Sequence, residues 1–428
     1  MPSNRSSTNR LLFYFGLMYF CQGVCQIVIL LNQPIRAYLK SINYTAEQSA
    51  NFFWIANIPW IIKPLYGLIS DFIPIFGYRR RSYLLLLNLI SAGGFIWVTG
   101  MTDVRVLTIA AILFGVGVAA ADVIVDALMV EVGQETGLVG KFQSIQWICI
   151  NIAAVGSGIV SAKLLARYSA EPINAVRVAS MICMVFPIIV AAVTFWAVKE
   201  QKAKLDLPQL KASARGVGAA FTSVRLLAIV AFLALLTCNP GVYTPMNYHL
   251  TENLKIDDSS VALGDAFNSG GCVLGAVIFM VFISSRFSIR GTLAVGILAN
   301  CLSMIPFFLI DGKESAWTAS AVFGVGYQIG NLALLSLAAH ACPKRAEGFV
   351  FAAMMSILNF SAQTSDNIGA SLYTRYFDQH ITPLLVISMA LSAIALPFVP
   401  FVPTKSKDQM VPEEPGAEAV SAGNFSES

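Results

Sequence analysis

The sequence predicts an all-α integral membrane protein with twelve transmembrane helices in two sets of six. Three observations predict it: a composition too apolar for water, twelve separate apolar runs of membrane length, and a motif that recurs half a chain apart. Of 428 residues, 56% belong to the apolar set and 12% are charged. With Gly counted and Tyr left out the apolar share is about 60%, against about 45–50% in soluble domains, which are about 25% charged. So few charges cannot cover that much apolar surface in water, which excludes soluble enzymes and binding modules. The net charge of +4, with no basic face, excludes a nucleic-acid partner.

A helix needs about 20 apolar residues to cross roughly 30 Å of hydrocarbon. Such runs lie at 11–31, 51–70, 83–100, 106–130, 142–163 and 176–198, taken here as spans 1 to 6. Spans 7 to 12 follow at 226–246, 261–283, 291–310, 316–340, 348–372 and 383–402. The runs lack the period-2 alternation of a membrane barrel. Span 1 opens after a short polar stretch without a small-residue cleavage site and reads as a retained anchor. Residues 1–198 thus form an N-terminal six-helix bundle and 226–402 a C-terminal one. Between them runs a Lys-rich linker at 199–225, and a polar tail at 403–428 reads as disordered.

Lys and Arg in the loops set orientation. With the amino terminus inside, that side carries eighteen of them and the other side nine, Arg36 and Lys40 among the nine. Both termini are therefore expected in the cytosol, in a plasma or inner membrane crossed many times. The eight cysteines lie in or beside apolar runs, which fits packing. His249, His340 and His380 make no metal-ligand spacing, and no phosphate loop or nucleophile elbow occurs. No enzymatic activity, cofactor or metal is expected.

Leu113-Phe114-Gly115-Val116-Gly117 in span 4 recurs as Val322-Phe323-Gly324-Val325-Gly326 in span 10. The same register places Asp122 over Asn331, and one residue less places Asn151 over Asn359. Equivalent spans 4 and 10 imply two parallel halves related by an axis along the membrane normal. That is the major facilitator fold, with a substrate site between the halves near mid-membrane. The loop after span 2 agrees: Gly67 and Asp71 are followed by Gly77, Arg79, Arg80 and Arg81. The glycine allows close helix approach, and the aspartate at a helix end can pair with cations on a neighbouring helix.

The stretch from Pro59 to Arg81, and the block Ala121-Asp122-Val123-Ile124-Val125-Asp126, resemble the folate–biopterin transporter family of the major facilitator superfamily. A weaker third block runs from Cys342 to Asn359. The resemblance implies carriage of folates or related pterins, driven by an ion gradient. Two positions depart from the family pattern. No Arg follows Glu131, and span 7 around Asn239-Pro240-Gly241 is poorer in aromatic residues.

Ionisable groups inside a span are costly, about 2.5–3.5 kcal/mol on insertion scales, and are functional candidates by default. At about 1.5 Å per residue, Asp122 lies roughly 24 Å down span 4 and Lys63 about 18 Å down span 2, so the two can neutralise each other. Asp126 is one turn beyond Asp122 on the same face. Lys63, Gly67, Asp71, Arg79, Arg80, Asp122 and Asp126 are the coupling or gating candidates, with Asp122 the group expected to titrate. A permanent structural ion pair and simple topology anchors are the competing readings. Asp265 and Asp366 fall near outer span ends, where an interfacial place explains them equally well.

Polar residues deeper in the spans line the expected cavity: Gln22, Gln26, Asn57, Gln146, Asn151, Asn239, Gln328, Asn331, Asn359 and Gln363. Tyr243 and Tyr327 supply aromatic faces for a pterin ring. Helix–helix bonding by the amides is the alternative. The resulting expectation is a monomeric, proton-coupled symporter of a small folate- or pterin-like molecule, embedded in lipid. A carrier of another organic solute, such as a cell-wall peptide fragment or a drug, and a non-transporting nutrient sensor remain alternatives.

Overall fold

The computed structural model describes residues 5–136, 139–200, 202, 224–284, 286–341 and 347–402. Among its helices, eight are long and apolar enough to cross a membrane alone: Arg81–Thr99, Val104–Met129, Ile145–Arg167, Pro172–Ala197, Asp258–Ile283, Ile289–Leu309, Lys313–Ala338 and Thr382–Phe401. These are spans 3 to 6, 8 to 10 and 12. The other four are broken or polar. Span 1 runs as Arg5–Cys25, turns, and resumes as Asn32–Ser41. Span 2 is three pieces, Ala46–Ala56, Ile58–Ile61 and Lys63–Phe72, whose later pieces each start with a proline in the first two positions. There the missing N–H costs no helical bond. Span 7 breaks between Leu236 and Thr244 around Pro240. Span 11, Glu347–Arg375, is continuous but rich in Ser, Asn, Gln and Thr. The tail from 403, and linker residues 201 and 203–223, lie outside the described residues.

The recurring glycines have the same neighbours in both halves. A Cβ on Gly115 would meet Pro59 of span 2, and one on Gly117 would meet Leu87 O of span 3 at 2.4 Å. In the second half, Gly324 meets Asn268 O of span 8 at 2.1 Å, and Gly326 meets Ala299 O of span 9 at 2.3 Å. Spans 8 and 9 correspond to spans 2 and 3, so the repeat marks equivalent close crossings. The N-terminal half buries two apolar clusters, one around Phe53, Phe95 and Phe114 and one around Tyr14, Phe15 and Phe142. Phe95 stacks on Phe114 at 4.3 Å. The cysteines act as packing groups, as where Cys25 Sγ donates to Cys183 O at 3.4 Å.

The halves meet along two lines, span 5 against span 8 and span 2 against span 11. We call the face where span 1 begins and span 12 ends the terminal face, and the opposite one the distal face. On the distal side a Cβ on Gly158 of span 5 would lie 2.7 Å from Ala266 N of span 8. Spans 1 and 2 there also touch spans 7, 8 and 11. Toward mid-membrane the polar contacts thin to Trp54 Nε1 on Thr364 Oγ1 and Asn359 Nδ2 on Trp60 O, both at 3.2 Å. Among the described residues, every other hydrogen bond between the halves lies nearer the distal face.

This layout corrects the expected end of span 1. The helix does not simply end in a loop after Leu31, because the segment after the turn re-forms a helix to Ser41 that buries seven of its ten residues. Arg36 and Lys40 therefore face the other half instead of anchoring a loop. Span 4 begins where the backbone N–H groups of Val106 and Arg105 donate to the loop residue Asp103, bonds that hold its carboxyl below the usual carboxylate range.

Gly324→Val is expected to lower the thermal unfolding midpoint in detergent, since overpacking a tight crossing costs about 1–3 kcal/mol or more. Gly93→Ala, with nothing within 4 Å of its Cβ position, should leave the midpoint unchanged or raise it slightly.

Candidate functional site

On the terminal side of the N-terminal half, the break at Ile62 makes Lys63 the first residue of a new helix. Its Nζ stands 2.5 Å from Asp122 Oδ2 and 4.5 Å from the centre of the Trp60 ring. Asp122 is buried. A buried pair contributes little net stability, but removing one partner strands a charge and costs about 3–5 kcal/mol. One turn further, Asp126 accepts a hydrogen bond from Tyr19 of span 1 at 2.5 Å. The two carboxylates thus have different company: Asp122 holds a cation, Asp126 a phenol.

The loop after span 2 turns tightly. Phe76 and Gly77 both have positive φ, 53° and 83°, and Ile75 and Tyr78 exchange backbone hydrogen bonds across them, the geometry that favours a glycine second. Glu200, just past span 6, accepts from the backbone N–H groups of Arg79, Arg80 and Arg81 at 2.9, 2.9 and 3.1 Å. A carboxylate at the start of span 3 satisfies donors the helix leaves free and complements its dipole. Arg80 is buried and donates to Ser70 Oγ at 3.3 Å. Gly67 sits where its Cβ would touch Val123 of span 4 at 3.4 Å. Asp71 belongs to the helix Lys63–Phe72, but its side chain lies outside the described residues. No sequence signal pointed to Glu200, because its three partners are backbone groups over a hundred residues away.

The amides divide by what they hold. Asn57 and Asn151 donate back to Phe53 O and Trp147 O of their own helices. Gln22, Gln146 and Gln328 are buried with an unpartnered Nε2, and Asn239 is buried with an unpartnered Oδ1. Gln22 faces a recess walled only by the N-terminal half, among Cys21, Asn88 and Pro187. Gln26, just past the end of the helix that carries Gln22, still donates its backbone N–H to Gln22 O at 3.1 Å, one turn back. Asn359 reaches Trp60 O across the halves. Gln26, Asn331 and Gln363 are partly buried and make no hydrogen bond to a described side chain. Tyr243 stands close enough to Tyr327 for the hydroxyls to interact, and Tyr327 packs against Phe323 at 5.7 Å. No group of three or more His, Cys, Asp or Glu able to hold a metal occurs among the described residues.

A denser polar set lies on the distal side of the seam, and most of it was not singled out from the sequence. Asn32, Arg36 and Lys40 form one stripe at i, i+4 and i+8 of the second helix of span 1. Arg36 Nη1 donates to Thr244 Oγ1 at 2.8 Å, which donates to Asp366 Oδ2 at 2.6 Å. Its guanidinium lies 4.4 Å from the Phe53 ring centre. Gln33 and Asn32 donate to Asp265 at 3.0 and 3.3 Å. Lys40 pairs with Asp258 and also bonds Thr251 at 3.2 Å and Asn247 at 3.4 Å. Arg375 grips Glu47 through two nitrogens at 2.8 and 2.6 Å. Asp265, read from sequence as equally well explained by an interfacial place, is held across the halves instead, whereas Asp366 is held by Thr244 of its own half, which links it to Arg36. The stripe spacing was the available signal, hidden by ending span 1 at Leu31.

Two helical halves meeting along a polar seam are the architecture of the major facilitator fold. Solved structures agree on the fold: the nucleoside transporter NupG, at a TM-score of 0.68 and 12% identity, covers 92% of this chain and 98% of its own. A D-xylose–proton symporter has a TM-score of 0.67 at 14% identity, over 94% of this chain and 99% of its own. Residues 22–416 match the BT1 family, and the chain belongs to it. Relatives include the folate-biopterin transporter of Synechocystis sp., 26% identical over 93% of this chain and 84% of that protein. The probable folate-biopterin transporter 4 of Arabidopsis thaliana is 23% identical over 83% of this chain and 87% of its own length.

Lys63→Met should destabilise the protein by about 3–5 kcal/mol, and adding Asp122→Asn should restore most of that loss. Unfolding of the two single variants and the double one measures the coupling; additive losses would show that the pair is not the interaction that matters.

Proposed function

We propose that this protein carries folates or related pterins across a membrane by alternating access, coupled to protons. The observation that carries the substrate is the similarity, over most of the chain, to relatives named folate-biopterin transporters. The geometry supports the mechanism. The distal side of the seam is shut by hydrogen bonds and ion pairs, which can be exchanged for water without unfolding either half. That is the element a two-state gate needs. In this reading the described conformation is open toward the terminal face.

The proton carrier is assigned to Asp126. Lys63 neutralises Asp122 at 2.5 Å, whereas the bonded partner of Asp126 is the Tyr19 hydroxyl, which can stay bonded to a neutral or an ionised acid. Tyr243, Tyr327, Asn331, Asn359 and Gln363, with Gln26 opposite, are the cargo contacts. They combine ring faces with amides whose donors and acceptors the protein leaves largely free. With Arg36 and Lys40 removed from the loops, the Lys and Arg bias becomes eighteen against seven, which supports cytosolic termini in a plasma or inner membrane. The aromatic-poor span 7 favours a second reading, in which the cargo is another organic solute.

The test is uptake of radiolabelled folate and biopterin into proteoliposomes with and without an inward proton gradient. Accumulation above equilibrium only with the gradient is expected. Asp126→Asn should keep exchange of substrate for substrate while losing gradient-driven accumulation. No flux of either compound removes the substrate, and full concentrative uptake by Asp126→Asn removes the proton assignment.

A further inference from the structure

Four carboxylates take part in the bonds that shut the distal side of the seam, and they are held differently. Asp258 and Glu47 hold cations, Lys40 and Arg375. Asp366 has both oxygens filled by Thr244, through its backbone N–H and its hydroxyl. Asp265 of span 8 has neutral donors only, and both reach one oxygen: Gln33 Nε2 and Asn32 Nδ2 of the other half donate to Oδ2. Its Oδ1 takes no hydrogen bond from a described residue, and the side chain is half-buried. The two amides cannot turn over without losing their other bonds. Asn32 Oδ1 accepts from Arg36 Nε at 3.0 Å, and Gln33 Oε1 accepts from Asn247 Nδ2 at 2.7 Å. Asn247 in turn accepts from Lys40. Two cations are thus connected to Oδ2 through polarised amides, and neither touches it.

We propose that Asp265 is a second proton-binding residue of the transport cycle, placed at the distal gate: ionised it draws the halves together, and protonated it lets them part. N–H groups aimed at one carboxylate oxygen repel a metal ion, so the open oxygen suits a proton. A proton added at Oδ1 leaves both amide bonds possible but strips them of charge. A hydrogen bond to an ionised group is about twice as strong as one between neutral groups. The neighbouring crossing leaves little room for a partly open seam, since a Cβ on Gly158 of span 5 would lie 2.7 Å from Ala266 N, the residue after Asp265. By linkage, a proton that favours the open seam is itself bound more tightly by the open seam. It is therefore taken up while the distal side is open and given up as that side closes. The proposal rests on the proton-coupled reading of the preceding section and adds a gate residue to the carrier Asp126.

The groups around Asp265 set the sign with pH. The second helix of span 1 presents Arg36, the charged group whose field reaches it, and an arginine keeps its charge throughout. Lys163 and Arg167 of span 5, and Lys313 and Glu314 of span 10, are exposed. After span 7, Glu252 answers to Lys40 and Lys255, and His249 to His380. Asp258, on the same helix as Asp265, is paired with Lys40. Asp265 is the group left to gain a proton, and the seam should open as the distal pH falls.

Hydrogen–deuterium exchange of the full-length protein in detergent, at several pH values and corrected for intrinsic exchange, reads the seam in residues 32–41 and 244–253. Gly158→Leu, which cannot fit the closed crossing, gives the open-seam level. Wild type should lose protection there by about tenfold or more between mildly alkaline and mildly acidic pH. Asp265→Asn should exchange near the open level at every pH, while Asp265→Glu should keep the pH response. Gln33→Leu, with one of the two donors left, should keep about half of the response on a logarithmic scale. A wild type that does not respond to pH, or an Asp265→Asn variant that responds as wild type does, overturns the proposal and leaves the transport reading intact. If Asp265→Asn does not fold, Gln33→Leu decides, and an unchanged response there ends the assignment. Uptake indifferent to the proton gradient would defeat the preceding section by itself, and Asp265-dependent opening would still uphold the gate.

Discussion

A charge taken out of water needs a partner, and in this protein that requirement operates at a boundary that, under the proposed mechanism, must also come apart. Lys63 and Asp122 meet it inside one half, where nothing has to separate. Lys40 and Asp258 meet it between the halves, and Arg36 is linked to Asp366 there through Thr244, by bonds that water can replace one at a time. An apolar seam of equal area would close more tightly and open less readily, since burying apolar surface is non-directional and grows with area. Neutral partners take a share of the closure as well: Lys40 bonds two side-chain oxygens beside Asp258.

The broken spans serve the same end. Spans 1, 2 and 7 each interrupt their helices and line the seam together with span 11. Regular backbone satisfies its own N–H and C=O groups in lipid, so interruptions are tolerated only where protein or a wet cavity covers them. Their position at the interface follows from that. Each break re-aims the next segment, which brings Lys63 to Asp122 and turns the Asn32–Lys40 stripe toward the other half.

Much of the fold was legible because hydropathy and the period of the repeat are properties of the sequence itself. Twelve runs and a recurrent glycine motif sufficed to place the halves, and the glycines occupy matching crossings at spans 2 and 3 and spans 8 and 9. The polar sites were legible only where partners lay at helical spacing or comparable depth, as with Lys63 and Asp122. Arg36 and Lys40 were hidden by a helix that restarts after a turn, since a hydropathy run ends at its first charges whether or not the helix does. Glu200 was invisible because its partners are backbone groups.

The three backbone bonds to Glu200 have a mechanical consequence. They clasp the chain leaving span 6 to the neck of span 3, so the segment joining the two halves does not pull on a loose end. Any tension along that connection is delivered to the base of two adjacent rods at once, and the first half turns as a block instead of unravelling from its last helix.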